Sequence, residues 1–150
     1  MAGINPKPFS EACERNREPI LSVLKRVFKD RRSVLEIGSK PWPAVDADAA
    51  FSANTAHIMS WVQLERMFQG VARLLPQAGR FALYGPFHYG GQPTSPSNAR
   101  FDAMLRTRDS SSDIRDFEHI QTLAGRYGLA LLEDNAMPAN NRLLVFRKEN

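Results

Sequence analysis

Between residues 34 and 54 the sequence reads as two strands joined by a connection too short for the geometry they need, and that mismatch constrains the chain more than any other feature. Val34-Leu35-Glu36-Ile37-Gly38-Ser39 reads as a strand ending in an acid, a glycine and a small polar residue. A strand of an α/β sheet ends this way where a bound group must come close to the backbone. A second strand-like run, Ala47 to Asn54, follows only a few residues later across Lys40-Pro41-Trp42-Pro43. Parallel neighbours need a crossover of about a dozen or more residues, usually a helix. An antiparallel hairpin fits the length, but it would turn the glycine tip of the first strand away from the polar tip of the second. The spacing therefore predicts that residues are missing between Ser39 and Lys40, on the order of 40–55 of them, enough for two strands and their helices.

The rest of the chain alternates helix and strand. Ser10 caps a short helical turn through Arg17, and Pro19 suits the first position of a separate helix, with Ile20, Leu24, Val27 and Phe28 on one face and Val23 beside them. Ser60 and Gln63 have the spacing of a capping box, and the stripe Leu64, Met67, Phe68, Val71, Leu74 and Leu75 continues from it until Pro76 and Gly79. Phe81–Tyr84 is the next strand, followed by a Gly-, Pro- and Ser-rich loop from His88 to Pro96. Ser97 or Asn98 caps a helix with Phe101, Met104 and Leu105 inward. Asp113 starts another, with Ile114, Phe117, Ile120 and Ala124 on one face and Gly128 as its stop. Leu129–Leu132 and Arg142–Phe146 are separated by too few residues for a parallel crossover, so they close the sheet as an antiparallel pair.

Composition narrows the function classes. With 43% hydrophobic and 24% charged residues over 150 positions, the chain has an ordinary globular make-up, and its apolar runs are far shorter than a membrane span. The N-terminus lacks a signal-peptide pattern and Cys13 is the single cysteine, so a cytoplasmic location is expected. His57, His88 and His119 have no metal-ligand spacing, and no metal is expected. The net charge of +4 is spread out. Its densest group, Lys25, Arg26, Lys29, Arg31 and Arg32, falls at a helix end, where cations suit the helix dipole without any nucleic-acid partner.

A helix ahead of the first strand, βα alternation and a closing antiparallel strand together resemble the class I S-adenosylmethionine-dependent methyltransferases, whereas nicotinamide-dependent reductases usually begin at the first strand and lack the closing hairpin. Glu14–Leu21, Val34–Ser39, Phe51–Met59, Tyr84–Phe87, Ser97–Asp102 and Met137–Arg142 are similar, in order, to the words of the methyltransferase-like 26 family, small proteins long catalogued without a known function. The resemblance implies an α/β fold: a Rossmann-like three-layer sandwich with a mostly parallel sheet closed by an antiparallel C-terminal hairpin, here lacking its second and third strands after Ser39. The further glycines and the later acid that holds the cofactor ribose in that family are absent.

The resemblance also implies a site. Glu36, Gly38 and Ser39 would lie beside S-adenosylmethionine, with Gly38 leaving room for its approach; the plainer reading has Glu36 pairing with a cation and Gly38 turning the chain. Asn54, Thr55, Ala56 and His57 would wall the transferring methyl. His57, with an ordinary pKa near 6.5, would take the acceptor's proton, or else be a satisfied surface residue. Arg15 and Asn16 would fold over the cofactor carboxylate or stay solvated on a helix. Tyr84, Pro86, Phe87 and Tyr89, together with Asn140 and Asn141, would border an acceptor that is either a small molecule or a protein side chain, although aromatics on strands are more often core. S-adenosylhomocysteine would be the product. The alternatives are a catalytically silent binding module of the same fold and, against the closing hairpin, a nicotinamide-dependent reductase; oligomeric state stays open.

Overall fold

The computed structural model describes residues 11–38 and 46–150, with side chains from residue 15 onward. The proposed break at Ser39–Lys40, Ser10 and Ser39 itself lie outside the described residues. The elements run α1 (Glu11–Val27), β1 (Val34–Glu36), β2 (Ala49–Ala53), α2 (Trp61–Leu74), β3 (Arg80–Gly85), α3 (Pro96–Arg108), α4 (Phe117–Arg126), β4 (Leu129–Met137), a 3-10 turn (Pro138–Asn140) and β5 (Asn141–Lys148).

These strands form one mixed sheet in the order β1-β2-β3-β5-β4. β1 pairs with β2 and β2 with β3 in parallel, while β5 pairs antiparallel with both β3 and β4. The first two strands therefore run the same way, and are not the two arms of a hairpin. Ile20, Val23, Leu24 and Phe28, from α1 and the turn after it, cover one sheet face against Phe51, Ala53, Ala82, Tyr84 and Leu143. On the other face Leu64, Phe68 and Val71 of α2 join Ile120, Leu123 and Ala124 of α4 over Ala50, Phe81, Leu83, Leu144 and Phe146. Phe68 meets Phe81 and Phe146 edge-on, with ring centroids 5.5 and 5.8 Å apart, a geometry that adds to plain area burial. The result is a three-layer α/β sandwich.

Local sequence explains most boundaries. The Ser60 hydroxyl accepts from the Gln63 amide while the Gln63 side chain accepts from the Ser60 amide, so α2 starts where its capping box lies. Four boundaries differ from the sequence expectation. Pro19 lies inside a continuous α1 and does not start a new helix. It forgoes one backbone bond, and the packed Ile20–Leu24 stripe beyond it offsets that loss. α3 is capped by Ser95, whose side chain accepts from the Asn98 amide, with Pro96 in the first turn. Its inward residues are Asn98, Asp102 and Leu105, while Met104 is exposed, because the helix packs on loops that have backbone donors and acceptors to satisfy. α4 begins at Phe117, not Asp113, since the preceding residues are held extended by a bridge between Asp116 and His88. β4 runs on through Glu133-Asp134-Asn135 to Met137, past a bulge between Leu131 and Glu133. Those polar residues read as a loop by propensity but are strand here, where Asp134 serves tertiary partners.

Candidate functional site

Because β1, β2 and β3 are parallel, Ile37–Gly38, Ala53–Asn54 and Gly85 all emerge at one edge of the sheet. The Ile37 amide donates to the Phe51 carbonyl at 2.7 Å and the Asn54 amide to the Tyr84 carbonyl at 2.9 Å, which carries the pairing just past the strand ends. Asn54 then takes a left-handed conformation, φ 58°, tolerated better by Asn than by most residues, and the chain turns into the 55–59 loop.

A buried hydroxyl pair fastens the two tips. Ser52, fully buried, donates to the Ile37 carbonyl at 2.9 Å. Its oxygen lies 2.6 Å from Thr55 Oγ1. With the Ser52 proton committed to Ile37, Thr55 is the donor between them. The relay ties the residue before Gly38 to the loop after β2.

Of the residues expected around a cofactor, Glu36, Gly38 and Asn54 are exposed at this edge, while Thr55, Ala56 and His57 are buried behind them. A Cβ built on Gly38 meets no heavy atom of the described residues within 4 Å, and its φ is not left-handed. Among the described residues, therefore, neither packing nor a left-handed turn requires glycine there, and the bare backbone leaves room for a bound group to approach. Glu36 and Asn54 stand beside it as exposed polar side chains. Beyond β1 no further strand is paired among the described residues. Arg15 is exposed and Asn16 half-buried on α1.

His57 does not keep the ordinary imidazole pKa expected of it. Burial, and secondarily the charge of Arg115, lower it to about 4. Its ring sits edge-on to Phe101, centroids 5.3 Å apart, with 5% of the residue exposed. At neutral pH it is an uncharged and weak base.

At the same edge, where β5 begins opposite the end of β3, a cavity of about 280 Å³ opens between Tyr89, Thr94, Met137, Asn140, Asn141 and Arg142. Tyr89 donates to Asp134 at 2.8 Å, and Arg142 Nε donates to the same carboxylate at 2.7 Å while its guanidinium lies over the Tyr89 ring. Phe117 stacks on Tyr89, centroids 5.0 Å apart. Burial and then the Asp134 bond push the Tyr89 phenol far above its usual range, so it stays protonated. Asn98, buried, bridges Thr94 Oγ1 and the Asn140 carbonyl at 2.9 and 3.2 Å and so fixes the cavity's rim. Tyr89, Asn140 and Asn141 are thus brought together. Tyr84, Pro86 and Phe87 are not part of this wall: they are buried, with Tyr84 packed under α1 and Phe87 in the core against α2 and α4. Sequence reasoning missed Ser52, Arg115, Asp134 and Arg142. Two of them carried a signal, Ser52 inside the Phe51–Met59 word and Arg142 as the last residue of Met137–Arg142. Among the described residues no three His, Cys, Asp or Glu groups gather to hold a metal, and no helix is long and apolar enough to cross a membrane.

The sequence profile of a family described as "Protein of unknown function (DUF938)" matches residues 7–42 and 40–148. An O-methyltransferase family protein from Burkholderia thailandensis is similar in structure, with a TM-score of 0.75 at 12% identity, over 93% of this chain and 58% of that one. An O-methyltransferase family 2 protein from Planctomyces limnophilus, in complex with apigenin, gives 0.64 at 17% over 73% and 32%. Human N-acetylserotonin methyltransferase in complex with SAM gives 0.63 at 13%, again over 73% and 32%. At these identities the likeness shows the fold, which is the Rossmann-like one of these methyltransferases. The chain spans between 32% and 58% of the length of these three proteins.

Proposed function

We propose that this chain, which belongs to the DUF938 family, is a methyltransferase using S-adenosylmethionine. The observation that carries the reading is the bare backbone at Gly38, clear of the other described residues and fastened by the Ser52–Thr55 relay beside the polar tip at Asn54. The resemblance of its words to the methyltransferase-like 26 proteins supports the same conclusion.

When bound, S-adenosylmethionine supplies a methyl group already activated for in-line displacement. The protein's task is then alignment, which alone can contribute roughly 7–11 kcal/mol. Gly38 leaves the approach open, and Glu36 and Asn54 offer hydrogen bonds to the donor's polar groups. The cavity bounded by Tyr89, Asn140 and Asn141, at the same sheet edge, receives the acceptor. His57, uncharged above pH about 4, shapes the wall and is not the base. The acceptor, a small molecule or a protein side chain, gives up its proton elsewhere.

Calorimetry on the full chain with S-adenosylmethionine, S-adenosylhomocysteine and NADH tests this. Both adenosyl compounds should bind. Gly38→Ala should weaken binding and leave the melting temperature unchanged, because a Cβ there meets no heavy atom of the described residues within 4 Å. Binding of NADH alone refutes the reading.

One observation favours a second reading, a silent binding module: β1 is an edge strand with Val34 49% exposed, so no described strand beyond it presents an acid to the ribose. Binding of S-adenosylhomocysteine with no turnover of any acceptor tested is its signature. The same edge position, and a family match split at residues 40–42, support the absence of two strands after Ser39. An additional coding segment found at that junction of the gene would bear this out, and an uninterrupted reading frame would overturn it.

A further inference from the structure

We infer that Arg115 is a positioning residue that holds the loop after β2 in register with the loop after β3. Arg115 lies in the segment between α3 and α4, distant in sequence from both loops, and its side chain is only 10% exposed. Its guanidinium donates through Nε to the Ala56 carbonyl at 3.3 Å and through Nη2 to the carbonyls of Met59 and Ser111. Nη1 pairs with Asp113 at 2.6 Å, and the guanidinium carbon lies 5.8 Å from the Trp61 ring centre at the start of α2. The backbone of the same residue continues the connection: its carbonyl accepts from the His88 amide at 2.9 Å, two residues after Pro86.

One residue therefore joins three pieces that have no mutual strand pairing: the 55–59 loop, the 87–89 loop and the N-terminus of α2. The task needs a planar fork of donors. A lysine ammonium has three donors at one point and cannot reach carbonyls at positions 56 and 59 together with an acid at 113. Asp113 orients the fork in turn. Resting on the reading that the 54–57 tip walls a methyl donor, the role of Arg115 is to keep that wall at the spacing the donor needs.

The test uses the full chain and S-adenosylhomocysteine as the probe, with binding by calorimetry and backbone amide exchange as readouts. Arg115→Met and Arg115→Lys should each weaken binding about tenfold and speed amide exchange at residues 57–59. Arg26→Met, which removes a cation from α1, should leave both unchanged. If Arg115→Met does not fold, Asp113→Asn decides: it keeps the carbonyl bonds but frees the fork, and a weaker affinity at an unchanged melting temperature supports the inference. Arg115→Lys or Asp113→Asn binding as tightly as the parent chain overturns it, as does equal weakening by Arg26→Met. Failure of the parent chain to bind the probe is a different outcome, which refutes the cofactor reading itself.

Discussion

Replacing Ser52 by alanine should loosen the junction between the two strand tips by an amount the structure allows us to work out. The hydroxyl makes two contacts, to the Ile37 carbonyl at 2.9 Å and to Thr55 Oγ1 at 2.6 Å, at a fully buried position. Each such bond is worth about 1 kcal/mol net, and leaving a buried acceptor and a buried hydroxyl without partners raises the cost, so Ser52→Ala should lose about 2–3 kcal/mol. The packing loss from one oxygen is small by comparison. For a chain of this size about 1 kcal/mol lowers the melting temperature by roughly 2–4 °C, so the variant should melt about 5–10 °C lower. Thr55→Val keeps the shape and the Ser52–Ile37 bond and should cost only about 1 kcal/mol. The double variant should cost less than the two single variants added together, because both remove the same hydroxyl–hydroxyl bond. Urea unfolding followed by circular dichroism measures all three. A Ser52→Ala chain within about 0.5 kcal/mol of the parent, or strict additivity in the cycle, would refute the relay as the fastening between the tips.

Other perturbations test other parts of the structure. His57 takes up a proton near pH 6.5 when unfolded and only at about pH 4 when folded, so its contribution is complete above pH 6.5 and is lost as pH falls toward 4, by up to about 3 kcal/mol. Urea midpoints at pH 7 and 5 should therefore fall less steeply for His57→Gln than for the parent chain, and equal slopes reject a buried neutral imidazole. Asp102 accepts from the Ile114 amide at 2.7 Å at a buried position; Asp102→Ala should cost about 2 kcal/mol by orphaning that amide, and Asp102→Asn, which keeps an acceptor, should cost less in the same denaturation assay. Ser60→Ala removes the cap of α2 and should cost about 1 kcal/mol, read as a lowered melting temperature that Ser60→Asp restores.

Much of the fold was legible because it is written in short-range terms. A capping box at Ser60 and Gln63 with an apolar stripe behind it is a helix wherever it is placed, and the few residues between the last two strands allow only an antiparallel pair. The order of elements likewise determined an α/β sheet with helices on both faces. Tertiary structure decided whatever depends on a partner remote in sequence. Pro19 sits inside one long helix because the sheet holds the residues after it. Glu133 to Met137 form strand because β5 lies alongside. Tyr84 and Phe87 look like binding aromatics in the sequence and are buried in the core, whereas Tyr89, a few residues on, borders a cavity. Ser52, one small polar residue in a strand, and Arg115, one cation among many, became structural ties only when folding brought the carbonyls of Ile37, Ala56 and Met59 to them. The physical reason is range: periodicity and capping act over a few residues and can be read along the chain, while a buried polar group must find its partner in space and leaves no mark on its neighbours in sequence.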